Sequence, residues 1–325
     1  MKKSLLLFVA LLASLSAWAD VEINAENFPD PVFRGYLNDQ PYGNDGVLTD
    51  DEIADITSIV VTNSGVRNLI GIEYFIALTN LQCDSNFIYD LDVSQLPALT
   101  SLNCGYNYLS ELDVTQNPAL TNLSCGNNDL WEINIEQNSD LQLLDCSNNK
   151  INLIDVTPNR DLQQLDCSNN KLNSIDVTNN FALTSLNCGN NGIAQLDVSR
   201  NHDLTRLDCY GNQINGDEMD NLIESMPTCT ENSVGYFRVV DLTSQEEHNV
   251  ITTTQVAAAR AKNWIVQARN DDWEDYDGVG VSYTRVEDIN SAKLKSGQRY
   301  NLMGQPVIKD YKGIVIEDGQ KIIVR

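Results

Sequence analysis

The chain has 325 residues, 21 of them basic and 46 acidic, for a formal net charge of −25. That length admits one large domain or two to three smaller ones. A surface this acidic repels phosphate backbones and anionic lipids, which argues against nucleic acid as a partner.

The first stretch, MKKSLLLFVALLASLSAWAD, has a positive start at Lys2 and Lys3, a short apolar core from Leu5 to Leu15, and a small-residue cleavage signal at Ala17-Trp18-Ala19. This is the pattern of a secretory signal peptide over residues 1–19, too short to span a membrane. No later stretch is long and apolar enough to cross a bilayer. The mature chain is therefore expected to be exported, either secreted or at the cell surface. Without the two lysines it carries 19 basic and 46 acidic residues, −27.

Residues 20–55 read as a small helical cap. In NFPDPVFRGYLND, Asp30 stands as N-cap and Pro31 at the first helical position, with Phe33, Tyr36 and Leu37 on one face. NDGVLTDDEI follows. Its Asp45, Gly46 and Glu52 match places five, six and twelve of an EF-hand calcium loop, but places one and three hold Pro41 and Gly43, which supply no carboxylate. Thr49-x-x-Glu52 also makes a capping box, the plainer reading. No cofactor or metal is expected, and Asp45 and Glu52 are vestigial calcium-loop candidates at most.

Over residues 56–216 a 21-residue period takes over. Cys83, Cys104, Cys125, Cys146, Cys167, Cys188 and Cys209 are followed three places on by Asn86, Asn107, Asn128, Asn149, Asn170, Asn191 and Asn212. Leucines precede each cysteine by two and five places. A fixed period of this size is the mark of a solenoid. Alternation along L-x-L-x-C puts Leu144 and Cys146 inward, and Asp145 and Ser147 outward. Each cysteine is then a small, soft core hydrophobe. Each asparagine sits where the chain turns off the strand, its amide serving backbone groups there and in the next turn. A metal would need thiolates converging on one point. Disulfides are the rival in an exported chain, but parallel neighbours hold their Cβ atoms slightly too far apart. Cys229 lies outside the ladder and is either free or paired with Cys209. A further column, Asp92, Asp113, Asn134, Asp155, Asp176 and Asp197, faces outward. Its charges are relieved by backbone N–H groups or by a Ser or Thr two places on.

The pattern L-x-x-L-x-C-x-x-N-x-[LI]-x-x-[LI]-D-V resembles the leucine-rich repeat, with cysteine at a place usually held by leucine. The form ending in LDV looks like repeats of secreted surface proteins from gut and oral anaerobic bacteria, relatives in style of the internalins. The resemblance implies an α/β solenoid: a rod of about eight turns, its parallel sheet on the concave face, with a helical N-terminal cap and an αβ C-terminal cap.

That second cap is expected over residues 217–270, where the repeat fails. DEMDNLIESM and TTTQVAAARAKNW read as helices, GYFRVV and WIVQAR as strands. NDDWEDYDG begins an acidic, solvated linker over 271–290. Residues 291–325 form a short β tail in which Asp318-Gly319 turns a hairpin. This tail resembles the sorting tails of type IX secretion cargo. A plain β appendage is the other reading.

Little in the chain could do chemistry. His202 and His248 have no matched nucleophile, and no G-x-S-x-G, H-E-x-x-H or phosphate loop occurs. The expected function is binding, not catalysis, by a monomeric module that takes a protein or glycan partner. The alternative is an envelope scaffold without a specific ligand. The concave face is the natural working surface, with Tyr106, Asp145, Asp166, Asp208 and Tyr210 as candidate ligand-binding residues.

Overall fold

The computed structural model describes residues 20–279 and the backbone of 300–301, 313–317 and 320–324. The signal-peptide reading of residues 1–19 and the turn at Asp318-Gly319 lie outside the described residues.

The N-terminal cap follows from its local chemistry. Strand β1 (Val21–Glu22) pairs antiparallel with β2 (Val47–Leu48). Between them lies α1 (Pro31–Asn38), which buries Phe33 and Leu37. Asp30 does two jobs. Its Oδ1 accepts from the N–H groups of Val32 and Phe33 at 2.9 and 3.0 Å, capping the helix. Its Oδ2 accepts from Arg67 N at 2.8 Å, tying the cap to the first circuit. Thr49 and Glu52 form the expected capping box at the start of α2 (Asp50–Asp55).

Eight parallel strands then stack: β3 (Ser58–Val60), β4 (Asn80–Gln82), β5 (Ser101–Asn103), β6 (Asn122–Ser124), β7 (Leu143–Asp145), β8 (Gln164–Asp166), β9 (Ser185–Asn187) and β10 (Arg206–Asp208). Each pairs with the next in strict register, Leu144 opposite Leu165 and Leu165 opposite Leu186. Seven circuits join the eight strands, one strand for each turn counted in the sequence. The inward column of Leu81, Leu102, Leu123, Leu144, Leu165, Leu186 and Leu207 is buried, as is every ladder cysteine. Burial of each such leucine contributes about 1.5–3 kcal/mol. The return paths are turns, so α-helices are confined to the caps among the described residues.

The asparagines corrected one expectation. Asn149 Nδ2 donates to the carbonyls of Cys146 in its own turn and Cys125 in the turn before, both at 3.1 Å, and its Oδ1 accepts from Leu130 N. The reach is towards the preceding turn, not the next. The Asp column is relieved as expected: Thr157 donates both its N–H and its hydroxyl to Asp155, at 2.9 and 2.6 Å. A third ladder went unread. Asn117, Asn138, Asn159, Asn180 and Asn201 are fully buried. Each donates to two carbonyls of earlier residues, as Asn159 does to Ile135 and Asn138 at 3.1 and 2.8 Å.

Past β10, helix α3 (Asp217–Ser225) buries Met219, Leu222 and Ile223. Strand β11 (Gly235–Asp241) extends the sheet in parallel, helix α4 (Thr253–Ala261) crosses back, and β12 (Trp264–Asn270) adds the next parallel strand. The stretch read as a solvated acidic linker begins instead with β13 (Asp272–Asp275), antiparallel to β12. The open edge of β12 supplies backbone partners that offset the cost of ordering charged residues. In the tail, β14 (Tyr300–Asn301), β15 (Gly313–Glu317) and β16 (Gln320–Val324) make an antiparallel sheet.

Candidate functional site: the concave face

Strand alternation sends every second residue of β4 to β10 away from the core. One outward column runs Asn103, Ser124, Asp145, Asp166, Asn187 and Asp208. Asp145 and Asp166 are cross-strand partners, so their Cα atoms lie about 4.8 Å apart. Neither has an ion pair among the described residues. Asp145 Oδ1 accepts from Ser147 N at 3.0 Å, and Asp166 accepts from Ser168 N and from Asn187 Nδ2 at 3.0 and 2.8 Å. These bonds orient the carboxylates without neutralising them. Together with Ser124, Gln164, Ser185, Asn187 and Arg206 they line a groove of about 350 Å³.

At the C-terminal end of this face the chemistry changes. Asp208 is 2 % exposed. Its Oδ2 accepts from Arg206 Nε and Nη2 at 3.1 and 2.8 Å, and Arg238 Nη1 lies 3.6 Å away. Burial pushes the Asp208 carboxyl above the usual range, outweighing both guanidinium groups. Arg238 stacks over Trp273 at 5.0 Å, and the Tyr210 ring meets the same indole at 5.0 Å. Gly189 permits this arrangement: a Cβ there would sit 2.8 Å from the Tyr210 ring. Tyr236 pairs with Arg206 across β10 and β11 and keeps 44 % of its surface exposed.

The structure thus gathers Asp145 and Asp166 in one groove and sets Asp208 and Tyr210 beside its far end. Tyr106 is not brought to them. It lies past the end of β5, five strand steps from β10, or roughly 24 Å. Arg206, Tyr236, Arg238 and Trp273 escaped the sequence reading. Strand parity past β10 would have placed Tyr236 and Arg238 outward. Nothing in DDWED signalled that Trp273 folds back on Tyr210.

The vestigial calcium-loop residues have structural partners. Asp45 Oδ1 accepts from Val47 N at 3.0 Å, and Glu52 Oε2 accepts from Thr49 N at 2.9 Å. Among the described residues no three carboxylate, thiol or imidazole side chains converge on one point. All eight cysteines are buried free thiols, Cys229 included. Burial raises the thiol of every ladder cysteine, that of Cys188 to about 12.

No family model matches the chain, and no curated protein matches it. Solved structures do. The functional domain of InlJ from Listeria monocytogenes, which includes a cysteine ladder, is 32 % identical over 76 % of this chain and 56 % of that one, with a TM-score of 0.56. This chain therefore spans little more than half the length of that relative. An internalin C2 from Listeria monocytogenes strain 4b F2365 is 22 % identical over 60 % of this chain and 90 % of that one, with a TM-score of 0.55, a likeness of fold. With seven circuits, a parallel sheet and a buried thiol column, the chain is a leucine-rich-repeat solenoid whose structural neighbours are internalin-like.

Proposed function

We propose that the chain is a non-catalytic interaction module that captures a protein partner on its concave face outside the cell. The observation that carries this reading is the convergence of Arg206, Tyr210, Tyr236, Arg238 and Trp273 at one end of a face otherwise lined by small polar side chains. Arginine, tyrosine and tryptophan are the residue types that dominate interface energetics. The backing of Arg206 by buried Asp208 fixes its guanidinium in advance, which lowers the ordering cost of binding. The Asp145–Asp166 pair beside it adds a rim complementary to basic groups, which favours fast and specific encounter. The thiol column shared with the InlJ domain supports a common scaffold. Export and surface location rest on the leader sequence.

The test compares faces once a partner has been drawn from an array of extracellular proteins. Trp273→Ala and Tyr210→Ala should each weaken binding by about 2 kcal/mol or more. Asp166→Lys should slow association, and Arg160→Ala on the turn side should change little. Equal loss from both faces would move the working surface off the sheet. Failure of the whole array would favour a scaffold role in which rod shape alone matters.

A further inference from the structure

A second surface lies on the flank where the chain leaves the sheet, near the N-terminal end of the rod. Phe87 and Tyr108 stand four places after their ladder cysteines, and Tyr89 and Trp131 stand six places after theirs. The inward residues between them, Ile88, Leu109 and Leu130, are fully buried and hold this segment in place. The aromatics on either side are thereby held at the surface: Tyr89 is 67 % exposed and Trp131 63 %. The Tyr108 ring lies nearly parallel to those of Tyr89 and Phe87, at 5.0 and 6.3 Å. In later turns the same places hold Lys150, Lys171, Asn152 and Asn173, so the ridge is local.

Tyr106 adds an independent sign. It sits at φ 53°, in the left-handed region, where other turns place Asn63, Ser85, Asn127, Asn148, Asn169, Asn190 and Gly211, all small side chains. Asparagine and glycine tolerate that backbone; a bulky ring does not. Its side chain is 63 % exposed and so returns nothing to the core. A strained residue with an uncovered ring points to a use outside the fold.

We propose that this ridge binds a neutral oligosaccharide chain. Its exposed neighbours Asp90, Glu111 and Glu132 are acidic, and the nearby Lys150 is tied to Asp129. Anionic polymers are repelled, and so is a second copy of a chain this negative. Arginine, which accompanies aromatic residues in protein interface cores, is missing from this ridge, in contrast to the Arg206 end. Ring faces that accept C–H groups, beside carboxylates that accept O–H donors, fit a polyhydroxy ligand without charge.

The test is native affinity electrophoresis of residues 20–325 in gels containing a β-1,3-glucan, a β-1,4-glucan or a mannan, with alginate as the anionic control. At least one neutral polysaccharide should retard the chain, and alginate should not. Tyr89→Ala with Tyr108→Ala should weaken retardation about tenfold or more, while Arg160→Ala leaves it unchanged. Tyr106→Asn should raise the thermal midpoint and weaken retardation together. The proposal is overturned if none of the three retards the wild type, if the double variant is retarded equally, or if sedimentation shows a self-association that the double variant loses.

Discussion

Cys146 and Cys167 occupy the same place in adjacent turns, but only the Cys167 thiol has a carbonyl in reach, Asn187 O at 3.5 Å. Cys146→Ser buries a hydroxyl without an acceptor and should cost about 1–3 kcal/mol. Cys167→Ser should cost less, because its hydroxyl can donate to Asn187. Urea midpoints of the two variants decide this, and equal losses would mean the carbonyl does not accept. The thiols also set a pH limit. Folded, they keep their protons; unfolded, they ionise from about pH 8.5. Their contribution is thus complete below that value and is lost as pH rises towards the folded pKa values. Each thiol adds a slope of up to about 1.4 kcal/mol per pH unit once its unfolded form is ionised. Urea denaturation between about pH 8 and pH 10 should show a steep loss of stability, shallower by one thiol's share in Cys146→Ala. A flat profile would mean the thiols are not shielded. Tyr106→Asn should stabilise the fold by about 1–2 kcal/mol by relieving a left-handed tyrosine, read by the same denaturation.

At the scale of the element, the C-terminal cap borrows the repeat's own device. Asn249, 37 positions beyond Asn212, takes the next rung of the ladder. It donates to Cys209 O and Val239 O at 2.7 and 2.8 Å and accepts from Ile214 N at 2.8 Å. Glu247 binds the neighbouring N–H groups of Gly211 and Asp241 at 2.7 and 2.6 Å. Asn249→Ala would strand three buried backbone groups at about 1–3 kcal/mol each. Amide exchange should then quicken first between β10 and β11, while β5 to β7 stay protected; uniform quickening would mean the cap is not a separate unit. The contrast with what could be read beforehand is instructive. The cysteine column was legible because one residue type recurs at one spacing and alternation fixes its side of the strand. The buried Asn117 to Asn201 column recurs just as regularly, but asparagine in a turn reads as ordinary turn chemistry. Asn249 breaks the spacing, and Trp273 lies in a locally acidic stretch. Both reach residues 35 or more positions away, Ile214 and Cys209 for Asn249, Arg238 and Tyr210 for Trp273, which no short window contains. Arg238 reaches Asp208 across 30 positions and went unread for the same reason, whereas Arg206, two places before Asp208 and inside the period, was passed over because its column holds no recurring arginine. Asp145 and Asp166, inside the period, were found.

For the molecule as a whole, the strict register makes each circuit an exchangeable part. Removing residues 147–167 joins Cys146 to Ser168 and leaves every ladder continuous. That variant should fold cooperatively, with a rod shorter by about 4.8 Å, measurable by small-angle scattering. Removing one residue fewer turns each following side chain to the wrong face and should abolish cooperative unfolding beyond the junction. A 21-residue deletion that failed to fold would mean the circuits are not equivalent. The backward reach of every asparagine has a mechanical counterpart. Each rung anchors in its own turn and grips the one before, so tension along the chain loads the rungs in series and should break them singly. Drawn out from its ends by an optical trap, the rod should lengthen in a staircase of even steps. Each step would release 21 residues, about 70–75 Å of extended chain, so the ladder would act as a ratchet that yields one tooth at a time.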